Sequence, residues 1–179
     1  MKKLLIVVDM QKDFISGSLG TPEAQAIVPA VVEKIKTFDG VVTATLDTHS
    51  QNYLETQEGR KLPVKHCIIG TDGYDVHPDV AAALIKRNAM PFPKPTFGCI
   101  DLVEYIRDYS LNFGPDNDFE SIELVGLCTD ICVVSNALLL KAFFPELSIS
   151  VDASCCAGVT PETHQAALTT MKMCQIEVK

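Results

Sequence analysis

The chain has 179 residues, 47% of them hydrophobic and 21% charged, with a formal net charge of −8. Length and composition fit one folded globular domain spanning residues 1–179. The acidic balance and the lack of a Lys/Arg cluster argue against nucleic-acid and acidic-membrane partners, and no apolar run approaches the ~20 residues of a membrane span.

Met1-Lys2-Lys3-Leu4-Leu5-Ile6-Val7-Val8 opens like a signal peptide, but the apolar run stops at Asp9 and no small-residue cleavage site follows. Leu4 to Val8 is read instead as a central parallel strand covered on both faces. Gln11 to Gly20 reads as a loop. Thr21-Pro22-Glu23 supplies an N-cap, a first-turn proline and an acidic first turn, and Ala26, Ile27, Ala30, Val31 and Ile35 continue a helical apolar face up to Gly40. Val41 to Leu46 is a second strand. Residues 47–78 form a long polar segment with little regular structure, a length that in a compact domain points to function or disorder. Pro78 to Ile85 is a short helix, Pro91 to Pro95 an extended segment, Asp101 to Tyr109 a helix and Glu120 to Val125 a strand. Gly126 marks a sharp turn, Ile131 to Ala142 is a helix, Leu147 to Val151 a strand, Pro161 to Met173 a helix and Cys174 to Val178 a last short strand. Alternating strands and helices predict a three-layer α/β/α fold with a central, mostly parallel sheet and right-handed crossovers.

Ligands of open α/β sheets gather beyond the carboxyl ends of the strands. Asp9, Asp47, Lys94 and Cys132 each end or follow a strand-like segment, and should project into one crevice. Cys132 falls in the first turn of a helix, where unpaired N–H groups and the dipole lower a thiol's pKa and can receive a developing oxyanion. On this stretch alone, a small buried apolar residue is the commoner reading of a free cysteine. Asp9 offers a proton acceptor for that thiol and Lys94 a charge partner; singly, these residues read as a loop carboxylate and a surface cation. Asp47, His49 and His66, with Glu58 or else Glu55 from the loop, could chelate a divalent metal ion such as Zn, Fe or Mn, or form a solvated surface loop. Seven cysteines, an odd number without the spacing of a disulfide or zinc framework, suggest a reducing, cytoplasmic setting. Cys67, Cys99, Cys155, Cys156 and Cys174 read as packing residues, and His77 and His164 as capping or structural.

Val8-Asp9-Met10-Gln11-Lys12-Asp13-Phe14, Thr45-Leu46-Asp47-Thr48-His49, Pro63-Val64-Lys65-His66-Cys67, Lys94-Pro95-Thr96-Phe97-Gly98 and Gly126-Leu127-Cys128-Thr129-Asp130-Ile131-Cys132-Val133 occur in this order. With these motifs the chain resembles the isochorismatase-like cysteine hydrolases, and within them the nicotinamidases (nicotinamidase/pyrazinamidase), over nearly its whole length. The resemblance implies a catalytic triad of Asp9, Lys94 and Cys132, and an oxyanion hole from the backbone N–H groups of Cys128 and Cys132. It also implies a cis peptide before Cys128, and one divalent ion held by Asp47, His49, Glu58 and His66. The implied reaction converts nicotinamide to nicotinate and ammonia through a cysteine thioester. The alternative is a related hydrolase of another small amide, ureido or enol-ether substrate. Nicotinamidases usually carry an aromatic residue where this chain has Leu62; Phe14 is then the candidate second pocket wall. The implied partner is a small amide, and a homo-oligomer in which a neighbouring subunit completes the loop is compatible with the sequence.

Overall fold

The computed structural model describes residues 2–113 and 119–179. Within them, six strands form one sheet: β1 (Lys2–Val8), β2 (Val41–Asp47), β3 (Met90–Lys94), β4 (Phe119–Leu127), β5 (Ser148–Ala157) and β6 (Glu177–Val178). Their spatial order is β3-β2-β1-β4-β5-β6, and every pairing is parallel. Leu4 to Val8 are all buried because successive side chains of β1 enter opposite layers. Leu4, Ile6 and Val8 join Ile122 and Leu124 under α5 (Ile100–Phe113), α6 (Val134–Phe143) and α7 (Pro161–Met173). Leu5 and Val7 join Val42, Ala44 and Val125 under α2 (Pro22–Thr37) and α4 (Pro78–Lys86), with α1 (Lys12–Ile15) at the end of this layer. The three-layer α/β/α expectation is met. Among the described residues, no helix is long and apolar enough to cross a membrane.

The chain builds β1, β2 and β3 in one direction, then crosses to β4 on the other side of β1. Strand order therefore reverses between β1 and β4, and a crevice opens beyond their carboxyl ends. β3 is an edge strand. The Lys94 carbonyl accepts the Thr48 N–H at 2.9 Å, so Lys94, Phe92 and Met90 turn their backbone polar groups toward β2. Pro91 and Pro93 then occupy the outward positions, where a missing N–H costs no ladder bond.

Several boundaries differ from the expectation: the stretch read as a loop over Gln11–Gly20 holds α1, α5 is longer than Asp101–Tyr109, and the last strand is only Glu177–Val178. Gly126 is not a turn: β4 continues through it to Leu127. Its φ is +116°, and an added Cβ would lie 2.2 Å from the Val8 carbonyl oxygen, so the glycine answers to a close approach of β1. β5 runs on past Val151 to Ala157, with a register irregularity opposite Leu124–Gly126. The helix after β4 starts earlier, as a π-helical turn over Thr129–Val133. Residues 47–78 also hold more regular structure than their composition suggests. A 3₁₀ turn spans Tyr53–Glu55, and α3 (Gln57–Lys61) is capped by the Thr56 hydroxyl, which accepts the Gly59 N–H at 3.0 Å.

Candidate active site and metal centre

Asp9 leaves β1 in the left-handed region (φ +47°), a conformation that Asp tolerates better than most residues. It is fully buried, and its Oδ1 accepts the Thr45 hydroxyl at 2.6 Å. Lys94 is the last residue of β3, two strand spacings or roughly 10 Å from β1. Only a long side chain bridges that gap. Its ammonium, on a side chain 1% exposed, lies 2.7 Å from Asp9 Oδ2 and donates to Cys132 Sγ at 3.3 Å. The three residues that the sequence singled out thus meet within one contact chain.

Cys132 sits in the π-helical turn, and the Leu127–Cys128 peptide ahead of it is cis, as the resemblance implied. The Cys128 carbonyl accepts N–H groups from Ile131 at 3.1 Å and Val133 at 3.0 Å, closing the turn. Asn136, buried on α6, holds the turn from outside. Its Nδ2 donates to the Cys132 carbonyl at 2.8 Å and the Phe97 carbonyl at 3.1 Å, and its Oδ1 accepts the Cys99 N–H at 2.9 Å. The turn that carries Cys132 is thereby tied to the loop that follows Lys94. The sequence reading missed Asn136 and Thr45. The signal for Asn136 was present: a lone carboxamide in a mostly apolar stretch of helix.

Electrostatics depart from the expected thiolate. Burial pushes the Cys132 thiol well above the ordinary cysteine range, and the Asp9 charge adds to the rise. Lys94 opposes it without prevailing. Burial also raises Asp9, against the pull of Lys94. Lys94 itself would fall by burial, but the charges of Asp9, Cys132 and Asp47 hold it above its usual value. For the sulfur, desolvation outweighs the pull of the lysine.

Asp47 closes β2, His49 follows two residues on, and His66 returns from the loop. Asp47 Oδ2 lies 3.0 Å from His49 Nε2 and 3.4 Å from His66 Nε2. One ligand atom from each of the three lies within 4.8 Å of the others, and all three residues are buried. Glu58 Oε1 stands 3.7 Å and 3.8 Å from the two imidazole nitrogens, whereas Glu55 is exposed in the 3₁₀ turn. Tyr53 packs on both rings, at 4.7 Å from His49 and 4.9 Å from His66 between centroids, and its hydroxyl donates to the Leu62 carbonyl at 3.0 Å. His66 Nδ1 is 2.8 Å from the Val64 carbonyl, which can only accept, so Nε2 carries the lone pair that faces Asp47. His49 Nε2 is buried without a hydrogen-bond partner. Converging lone pairs with an orphaned buried nitrogen among them fit a cation. The oxygen and imidazole donors suit a divalent ion of the zinc, iron or manganese kind.

Both groups open on one pocket of about 660 Å³, whose lining includes Phe14, Asp47, Glu58, Leu62, His66 and Cys132. Phe14 also packs on His66 at 5.5 Å between centroids. Cys128 lines the same pocket. Cys67, Cys99, Cys155 and Cys156 are buried packing residues as expected, but Cys174 is exposed, because the helix it follows turns that end to solvent. His77 caps α4, its Nδ1 accepting the Asp79 N–H at 3.3 Å, and His164 bonds Thr129 at 2.8 Å.

Comparison with known proteins accords with this geometry. The isochorismatase domain model matches residues 3–178. Nicotinamidase/pyrazinamidase of Mycobacterium tuberculosis is 28% identical over 185 residues, covering 98% of this chain and 97% of that relative. An isochorismatase family protein of Bacillus subtilis, PncA, is 30% identical over 94% of this chain and 93% of its own. Among solved structures, pyrazinamidase of Pyrococcus horikoshii in complex with zinc shares 26% identity. It superposes with a TM-score of 0.79, covering 100% of this chain and 99% of that one. The chain belongs to the isochorismatase family of hydrolytic enzymes.

Proposed function

We propose that this protein is an amidohydrolase that converts nicotinamide to nicotinate and ammonia through a thioester on Cys132. One observation carries the reading. The pocket that exposes Cys132, itself in contact with Lys94 and through it Asp9, is also lined by Asp47, Glu58 and His66 of the candidate metal cluster. A nucleophile and a site for a ring-nitrogen ligand therefore share one chamber.

In this reading Asp9 takes the thiol proton as Cys132 Sγ attacks the carboxamide carbon, so the thiolate forms only as it is used. Backbone N–H groups of Cys128 and Cys132 receive the oxyanion. Asp9 returns the proton to the departing ammonia, then takes one from the water that attacks the thioester and passes it to the departing Cys132 sulfur. Lys94 stays charged throughout and offsets the negative charge that moves between Asp9 and sulfur. Asp47, His49, Glu58 and His66 would hold the divalent ion, which when bound supplies a Lewis acid toward the pyridine nitrogen. Phe14 and Leu62 wall the ring. The aliphatic Leu62 supports a second reading, in which the substrate is another small amide, ureido or enol-ether compound.

Ammonia release by metal-loaded protein, measured on nicotinamide beside a panel of those compounds, tests the proposal. Turnover of nicotinamide at the highest kcat/KM of the panel is the expected result. Inertness toward nicotinamide with turnover of another compound would overturn the substrate and leave the family chemistry standing.

A further inference from the structure

Gln11 and Asp13 follow Asp9 closely, take no part in the chemistry above, and yet reach both loops that carry the metal-binding side chains. Gln11 is fully buried. Its Oε1 accepts the Asp47 N–H at 2.7 Å, and its Nε2 donates to the Asp47 carbonyl at 2.9 Å and the Tyr74 carbonyl at 2.9 Å. Both donors of the amide are used, and its oxygen is paired. The side chain stands in for a peptide group at the end of β2 and grips the Asp47 backbone by its N–H and its carbonyl together.

Two residues on, Asp13 Oδ2 accepts the Cys67 N–H at 2.8 Å and Oδ1 accepts the Ser18 N–H at 3.3 Å. Cys67 follows His66 directly and has φ +47°, a conformation that persists for such a residue only where its surroundings impose it. The Cys67 carbonyl accepts the His49 N–H at 3.0 Å, and the His49 carbonyl accepts the Ile69 N–H at 2.9 Å. Asp13 therefore anchors the strip that carries His66 and, through it, the backbone of His49. Gly73 closes over the carboxylate so tightly that an added Cβ would lie 2.1 Å from Oδ2.

We propose that Gln11 and Asp13 are positioning residues for a divalent-metal centre, Gln11 setting Asp47 and Asp13 setting the two imidazoles. This rests on the reading of Asp47, His49 and His66 as metal ligands. The physical need is plain. Converging lone pairs repel one another before a cation arrives, and the backbone ties keep the ligands from relaxing apart.

Gln11→Glu and Asp13→Asn test the assignment. The first keeps size and an acceptor but sets an oxygen against two carbonyls. The second has one acceptor oxygen for two N–H groups. Zn²⁺ affinity is measured by competition with a chelating dye, and ligand geometry by the visible absorption of the Co²⁺-loaded protein. Each variant is expected to bind Zn²⁺ about 10- to 100-fold more weakly and to shift the Co²⁺ bands. Leu168→Ala, in the core layer on the opposite face of the sheet, serves as a destabilised control that keeps wild-type Zn²⁺ affinity. Wild-type affinity and spectrum in either folded variant would overturn the assignment; should Gln11→Glu not fold, Asp13→Asn decides. Failure of the wild-type protein itself to bind Zn²⁺ or Co²⁺ would instead overturn the metal reading on which the assignment depends.

Discussion

Asp9 and Lys94 sit at strand ends and Cys132 on the turn after a strand, whereas of Asp47, His49, Glu58 and His66 only Asp47 belongs to the sheet. The first group inherits its geometry mainly from strand order: β1, β3 and β4 bring it together, and Thr45 and Asn136 add side-chain ties to Asp9 and the Cys132 turn. The second is assembled from loop by a series of side-chain ties, from Tyr53, Thr56, Gln11 and Asp13. Two clusters that share a pocket therefore depend on different parts of the molecule. Chemistry should be lost at the first without disturbing the second, and order should be lost at the second without disturbing the first.

The largest effect is expected at Cys132, the proposed nucleophile. Cys132→Ala should lower amide hydrolysis by about 10⁴-fold or more, measured as ammonia release, while metal content stays at the wild-type level. Loss of the metal in that variant would mean that the clusters are one unit, and the comparison would break. Chelation should act the other way. At free metal 100-fold above Kd, its removal should lower stability by about 2.7 kcal/mol, read by calorimetry. Limited proteolysis of the metal-free protein should then begin within residues 47–78 and spare the strands; an unchanged cleavage pattern would show that the loop stands without the ion.

A smaller effect, away from both clusters, supplies the reference. Glu123 on β4 meets Lys34 at 2.8 Å and Lys179 at 2.7 Å. Burial would raise its pKa, but the two ammoniums more than reverse this and hold it below 4.5. A carboxylate lowered by folding contributes stability above its unfolded value, and that contribution disappears as pH falls through the folded value. Glu123→Gln should therefore unfold at lower urea than wild type at neutral pH and converge with it well below pH 4.5. Activity per folded molecule should not change, because neither cluster touches this network.

Much of the site was legible because a polar residue directly after a buried strand has few places to go. Asp9, Asp47 and Lys94 follow that rule, and the order of their strands then fixes who meets whom. Other features were hidden because one residue type answers to two different physical needs. Gly126 looks like a turn in sequence; a left-handed strand position under the β1 backbone needs the same residue. Asp152 and Ser154 interrupt the apolar run of β5, so its extension to Ala157 could not be read from periodicity. The environment of the Cys132 thiol was hidden for a third reason. Helix position and a nearby lysine are visible in sequence, but the depth of burial that overrides them depends on the packing of α5, α6 and β5, which sequence does not measure. Gln11 and Asp13 were quoted only as motif letters, since a side chain that bonds to backbone leaves no partner residue type to search for.

Pro91 and Pro93 have a consequence beyond keeping β3 at the edge. An outer rim without N–H groups offers an incoming strand carbonyls alone, so it cannot template a continuous ladder. A second copy of this chain cannot join its sheet to this one across β3, and a misfolded neighbour cannot seed on it. The strand that brings Lys94 to Asp9 and Cys132 is thereby closed to intermolecular sheet growth, and self-association on that side has to be built from helices and loops.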